Sequence, residues 1–273
     1  MPEKPEVITV SKAIKSEIIN KKIKDVEVYW DNIIAKPSVS TFKEKLVGEV
    51  IHDVTTRGKF IVIHLDKYVL LVHLRMEGKF FFRKKGDQLN KHEHVVIRFN
   101  DDKEMRFHDV RKFGKMYLLN KENYLNEKPL SDLGYEFDDK MLTSKYLYDK
   151  LKSKSIPIKT SLLDQSIITG IGNIYDDEIL FLSGISPYRK SNKVKLGECQ
   201  KIIDNTIIVL NKAIKLGGTT IKSFTSSEGV HGLFQNELLV HGKKNGVCPN
   251  CGNTLEVTRI NGRGTYYCSK CQK

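Results

Sequence analysis

The last 26 residues, Cys248 to Lys273, read CPNCGNTLEVTRINGRGTYYCSKCQK and hold four of the chain's five cysteines. They fall as two C-x-x-C turns, Cys248 with Cys251 and Cys268 with Cys271, and sixteen residues separate the pairs. Each turn presents two sulfurs on one side of a knuckle, and two knuckles complete a tetrahedron. This is the spacing of a four-thiolate zinc ribbon. Four protein ligands leave no open position, so the pattern predicts one Zn2+ that is structural and not catalytic. The competing reading, two disulfides in a secreted domain, requires an export signal. The opening Met1-Pro2-Glu3-Lys4-Pro5-Glu6 has no hydrophobic region for secretion. The expectation is therefore a cytoplasmic protein whose cysteines stay reduced and bind metal. Cys199, the remaining thiol, is expected to be a small buried hydrophobe on a helix.

Charge indicates what such a ribbon touches. Lys and Arg number 46 against 33 Asp and Glu, a formal net charge of +13. Four thiolates and one zinc ion add about two negative charges locally, and Lys243, Lys244, Arg259, Arg263, Lys270 and Lys273 more than offset them. A basic zinc module closing a basic chain favours a polyanionic partner. A membrane partner is not expected: the longest apolar runs resemble Val69–Val72, far short of a span.

At 273 residues the chain can bury a real core and hold two domains. A helical pattern starts at Pro5 and Glu6, and Val7, Val10, Ile14 and Ile18 recur at helical steps through Lys21. Pro5 suits a first helical turn, and Glu3 and Glu6 suit its positive end. Strand-like runs follow at Ile23–Trp30, Lys59–Leu65, Tyr68–Leu74, Lys79–Arg83, His94–Phe99, Met105–Asp109 and Lys115–Leu119. Short polar breaks between them predict antiparallel hairpins in a sandwich or flattened barrel. Asn120–Glu136, with Pro129 and Gly134, reads as a hinge. Helices are predicted at Ser144–Lys152, Ser161–Gln165, Asn173–Leu182 and Lys193–Leu216. The fold class is thus α+β: an N-terminal helix with an antiparallel β-sandwich domain, 1–131, a helical domain, 132–235, and the zinc ribbon, 236–273.

Two glycine-bearing segments interrupt the helical half. Thr169–Tyr175 is a turn feeding a helix, whose amides, with Asn173 beside them, suit a phosphate; a tight helix–helix corner has the same signature. Gly217–Gly232 is long and polar, which suits either a loop closing over a ligand or a plain connection. At the chain start, removal of Met1 would leave Pro2 as a secondary amine on a rigid ring. An α-amino group has a reference pKa of ~7.7–8, against ~10.4 for lysine. A useful fraction is neutral near neutral pH and can attack an aldehyde-level carbon to form an iminium. Glu3 and Glu6, within one helical turn, can supply acid–base function.

Met1–Val7, Thr56–Lys59, His73–Gly78, Lys91–His94, His108–Gly114, Gly170–Tyr175 and Gly262–Cys268 occur in this order along the chain. Together with the ribbon they closely resemble the bacterial formamidopyrimidine-DNA glycosylase family, the 8-oxoguanine DNA glycosylases and abasic-site lyases. Lys4 departs from the usual Leu of the first motif, at an exposed-looking position. The resemblance implies a helix–two-turn–helix in the second domain and places residues one by one. Pro2 would be the Schiff-base nucleophile at the sugar anomeric carbon, and Glu3 would protonate the ring oxygen. Lys59, at a hairpin tip, would contact phosphates and donate a proton in elimination. Asn173 would bind phosphate; Arg263 would clamp the lesion phosphate and donate a proton in the last elimination. His92 and Lys154 would be further DNA contacts.

A base inside a duplex is out of reach and must be flipped out, leaving a hole and an orphaned partner. Met76 would fill the hole, Phe113 would wedge beside the partner base, and Arg111 would read its Watson–Crick edge. Thr219, in the Gly217–Gly232 segment, would help cap the flipped base. The implied partner is double-stranded DNA carrying an oxidised purine or an abasic site, bound by a monomer working on the bacterial nucleoid. A pyrimidine-directed relative of the endonuclease VIII branch lacks the Arg-x-Phe arrangement of Arg111 and Phe113. A noncatalytic zinc-ribbon binder of DNA or RNA gains nothing from the Pro2 amine.

Overall fold

The computed structural model describes residues 1–219 and 232–273. The chain divides into two compact units, one of Met1–Ser131 with Thr219 and Gly232, the other of Asp132–Gly218 and Leu233–Lys273.

The first unit opens with α1 (Lys4–Ile18), on which Val7, Val10, Ile14 and Ile18 line one buried face. Then follow β1 (Ile23–Val28), β2 (Ile34–Lys36), α2 (Val39–Leu46), β3 (Asp53–Arg57), β4 (Phe60–His64) and β5 (Tyr68–His73). β6 (Lys79–Lys84), β7 (Glu93–Phe99), β8 (Lys103–His108) and β9 (Lys115–Asn120) complete it. One sheet has the order β1-β7-β8-β6 and the other β2-β9-β5-β4-β3. Pairings are antiparallel, as the hairpin pattern predicts, except for the parallel β2–β9 pair. Inward residues of both sheets, such as Val26, Ile97 and Phe107 in one and Ile61, Ile63 and Val72 in the other, share one core with α1. Burying such side chains is worth about 1.5–3 kcal/mol each.

Three elements escaped the sequence reading. β2 has only three residues. In β3 a single apolar residue, Val54, is buried among polar ones. α2 buries only Phe42 and Leu46, one helical step apart, so no period repeats.

The second unit holds α3 (Ser144–Leu151), α4 (Ile158–Leu162), α5 (Asn173–Ser183), α6 (Leu196–Lys215) and the hairpin β10 (Glu256–Ile260) and β11 (Arg263–Tyr267). α4 starts three residues before the predicted Ser161, directly after Pro157. The hinge segment carries two short 3-10 turns, Tyr124–Asn126 and Leu130–Asp132. Leu147, Ile158, Tyr175, Ile179 and Leu210 meet in the core of this unit. Cys199 lies on α6 with no exposed surface, and burial pushes its thiol up to about 11. Among the described residues no helix is long and apolar enough to cross a membrane.

Candidate active site and thiolate cluster

Pro2 and Glu3 are both buried at the start of α1. The Glu3 N–H donates to Glu6 Oε2 at 2.8 Å. The other Glu6 oxygen, Oε1, accepts the Thr219 N–H at 2.8 Å and its hydroxyl at 3.1 Å. Glu6 therefore spends both oxygens on fixing the turn around Pro2 and Glu3, where the sequence reading offered it as a second acid–base group. Its charge is favoured there by the positive helix end. Lys4 is a correction: read as exposed, it has 4% of its surface accessible, and its ammonium donates to Thr56 Oγ1 at 3.1 Å.

Lys59 does stand at a hairpin tip, in the two-residue turn that links Arg57 and Phe60 across β3 and β4. Gly58 leads that turn with φ +54°, a conformation glycine adopts without strain. Lys59 itself is 5% exposed and not a solvated tip residue. Beside it His73 stacks edge-on against Phe60, with ring centroids 4.8 Å apart. Its Nδ1 accepts the Arg75 N–H at 3.0 Å. Burial, and then the charges of Arg75 and Lys59, push His73 down to about 3, so its imidazole is neutral.

Arg111 and Phe113 are carried by the connection between β8 and β9. Asp109, fully buried, shapes it: Oδ1 accepts the Arg111 N–H at 3.0 Å and Oδ2 the Gly114 N–H at 2.7 Å. Gly114 is needed because a Cβ there would lie 2.5 Å from Phe107 Cζ. Asp109 is held in turn by its N–H to the His92 carbonyl at 2.9 Å and by His94 Nε2 at its own carbonyl, 2.9 Å. The Arg111 guanidinium lies 4.8 Å over the Phe113 ring, and Phe113 is 48% exposed. A ring so open to solvent is not core packing. Met76 is half-buried in the turn after β5, and His92 faces His108 with centroids 5.6 Å apart.

In the second unit Asn173 is the first residue of α5, after Gly172. Its Nδ2 donates to the Gly264 carbonyl at 2.9 Å, fastening the helix start to the β10–β11 hairpin. Its Oδ1 is buried with no hydrogen-bond partner among the described residues. Arg263, exposed, opens β11 just after the Asn261-Gly262 turn, and Asn261 Nδ2 donates to Thr160 Oγ1 at 3.0 Å. Lys154 faces Asp164 at 3.6 Å. Three consecutive carboxylates on α5, Asp176, Asp177 and Glu178, are all buried. Asp177 takes Lys159 Nζ at 2.6 Å, His241 Nδ1 at 2.7 Å and the Tyr266 N–H at 3.2 Å. Glu178 accepts the N–H groups of Leu239, Val240 and His241 at 2.7, 2.9 and 2.8 Å. Burial raises the Glu178 carboxyl against those three bonds.

The sulfurs of Cys248, Cys251, Cys268 and Cys271 lie within 4.8 Å of one another. Cys248 and Cys271 are 3.8 Å apart, Cys251 and Cys268 3.6 Å. A tetrahedron with Zn–S bonds of ~2.3 Å has edges of ~3.8 Å. The cluster can hold a metal ion.

Three family models match the chain in order. They are the formamidopyrimidine-DNA glycosylase N-terminal domain over residues 1–116, the H2TH domain of the same enzymes over 133–225, and a zinc finger found in FPG and IleRS over 246–273. The formamidopyrimidine-DNA glycosylase of Bacillus cereus is 43% identical over all of this chain and 99% of its own length. That of Bacillus subtilis is 42% identical over the same shares. The chain belongs to the formamidopyrimidine-DNA glycosylase family. Two solved Lactococcus lactis members superpose with TM-scores of 0.92 at 34% identity, covering 100% of both chains. One is in complex with DNA containing an N7-benzyl-Fapy-dG, the other with DNA containing an abasic site.

In this family member, hydrogen bonds join Glu3, Glu6 and Thr219 directly, and Arg111 meets Phe113. Asn173 is joined to the hairpin of Arg263, whereas Lys154 stands apart, at Asp164. The rest of the Gly217–Gly232 segment, 220–231, lies outside the described residues. The sequence reading placed His73 and Asp109 inside motifs without giving them a role, and it missed Asp177 and Glu178. A run of three acids inside an otherwise apolar helix was a signal for the last two, because unpaired carboxylates are rarely buried.

Proposed function

We propose that the chain is a bifunctional DNA glycosylase and abasic-site lyase of base excision repair, removing 8-oxoguanine and formamidopyrimidines and then cutting the strand by β,δ-elimination. The observation that carries this reading is the Pro2–Glu3 pair, buried at a helix start and closed by Glu6 and Thr219. Family relatives in complex with damaged DNA support the substrate class.

With Met1 removed, the Pro2 nitrogen attacks the sugar C1′, the C1′–N bond to the base breaks with its electron pair leaving on the base, and the amine proton passes to the departing base. Glu3 gives its proton to the ring oxygen as the C1′–O4′ bond opens, which leaves an iminium on Pro2. Loss of a C2′ proton expels the 3′ phosphate, and a further proton loss expels the 5′ phosphate. Lys59 and Arg263 hold these phosphates and donate protons to the eliminations. Asn173 and Lys154 bind further phosphates, and His92 is a further DNA contact. Met76, Phe113 and Arg111 occupy the vacated stack and read the orphaned base, and Thr219 stands at the root of the lesion loop.

The four cysteines would hold one structural Zn2+, which supplies a cross-link behind Arg263 and no reacting group. In finer terms the fold is a β-sandwich domain (1–131), a helix–two-turn–helix domain (132–235) and a zinc ribbon (236–273). It acts as a monomer on duplex DNA in the bacterial cytoplasm.

The test is borohydride trapping during turnover of an 8-oxoguanine duplex. Reduction of the iminium should leave a protein–DNA adduct on a peptide beginning at Pro2. Glu3→Gln should lose base excision yet keep some cleavage of a preformed abasic site. An adduct on Lys59, or full activity with the Pro2 nitrogen acylated, would overturn the mechanism.

A further inference from the structure

Lys4 occupies a costly place for a cation. It is the first residue of α1, where the helix end is already positive, and it is buried. Two further cations, Arg57 and Lys59, belong to the hairpin that carries its acceptor, Thr56. A leucine at this position would bury with none of these costs. The ammonium donates to Thr56 Oγ1 at 3.1 Å, and Glu3 and Glu6 belong to the same helix start.

We propose that Lys4 is a positioning residue for the Pro2 nucleophile: it fastens the N-terminal turn to the hairpin that carries Lys59 and holds a positive charge two residues from the reacting amine. This rests on the Pro2 reading above. The surrounding groups are Glu3 and Glu6 on its own helix, Arg57 and Lys59 of the β3–β4 hairpin, and neutral His73 on β5. Asp53 is paired with Lys15 toward the other end of α1, and His64 there is bonded to Thr55. Lys4 therefore adds to the positive side of the balance near Pro2.

A nearby positive charge disfavours a second one, so it favours the neutral, nucleophilic form of the amine. Two residues apart, the Cα atoms lie at most ~7.6 Å from one another. A unit charge at ~10 Å displaces a titration by ~0.3–1.2 pH units, between water-like and surface-like screening. The device makes the enzyme reactive at lower pH than the same site with leucine.

The experiment compares wild type, Lys4→Met, Lys4→Leu and Thr56→Val by the rate of borohydride trapping on a preformed abasic-site duplex at saturating DNA, from about pH 5 to about pH 9. The Lys4 variants should raise the midpoint by ~0.3–1.2 units and slow trapping roughly two- to fifteenfold on the acid side, converging with wild type at alkaline pH. Thr56→Val keeps the charge but releases it, and should raise the midpoint by less. It also serves if the Lys4 variants do not fold. An unchanged midpoint in the folded variants, or an equal slowing at every pH, would show that Lys4 only supports the fold. If wild type itself gives no adduct at Pro2, the Pro2 reading falls and this proposal with it.

Discussion

Asp109→Ala is the substitution that separates opposite-base reading from chemistry. The carboxylate makes two hydrogen bonds to loop amides, at 3.0 Å to Arg111 and 2.7 Å to Gly114. A hydrogen bond to a charged group contributes about 1.5–3 kcal/mol. The Arg111 amide lies near solvent and recovers water on truncation, whereas the Gly114 amide is buried and does not. The expected loss is therefore about 2–4 kcal/mol, roughly 10 °C in the melting temperature of the first unit. Asp109→Asn keeps one acceptor oxygen and should lose about half as much. Function should divide accordingly. Arg111 and Phe113 lose their fixed placement, so the preference for excising 8-oxoguanine opposite C over A should collapse toward unity. Trapping on a preformed abasic site, which needs only Pro2, Glu3 and their surroundings, should persist. The assay is paired: calorimetry of the folded variant and excision kinetics on the two duplexes. An Asp109→Ala protein with wild-type melting and an intact preference for C would refute the reasoning.

Three further outcomes are expected. Cys248→Ser or Cys271→Ser should abolish metal binding, measured by metal analysis, and weaken affinity for lesion duplexes while the first unit still melts cooperatively; normal affinity without metal would contradict this. Arg111→Ala should lower discrimination between opposite bases by about 1–3 kcal/mol and leave the steep salt dependence of binding in place, because that dependence comes from phosphate contacts; an equal loss on every duplex would remove its assigned role. His73 binds its proton more weakly folded, about 3, than unfolded, ~6.5. Its contribution to stability is thus complete above about pH 6.5 and falls as pH drops, by about 2 kcal/mol at pH 5. His73→Phe should flatten that acid limb in urea titrations, and an unchanged limb would place the cause elsewhere.

What the sequence disclosed depended on how local the cause was. The cysteine spacing and the period of Val7, Val10, Ile14 and Ile18 are written within a few residues, and both appear in the structure. The polar strand β3 was hidden because it takes its place from pairing with β4 and from α1 packed against it. Lys4 looked exposed because its acceptor lies 52 positions away. Lys59 was found at its turn, but its burial was not legible, since burial belongs to the surrounding fold. The seven motifs supplied residues that the resemblance assigns to DNA. They included Asp109 without showing that it shapes the Arg111–Phe113 loop, and did not include Asp177 or Glu178, which fasten α5 to the C-terminal segment.

The small core beneath the thiolates is not made by the C-terminal segment alone. Phe181 of α5 packs there with Val240, Leu255, Cys248 and Cys268. Asp177 and Glu178 of the same helix hold Tyr266, His241 and the amides of 239–241. The tail is therefore not a portable cassette. A chimera joined after α6, giving this chain the tail of a distant relative, would put at risk the donors of Glu178 and of Asp177 Oδ2, leaving Asp177 only Lys159, and would take from a phenyl ring its neighbours. Recombination among such genes should succeed only when the donor also carries acids at the positions of Asp177 and Glu178, so α5 and the tail should be inherited together.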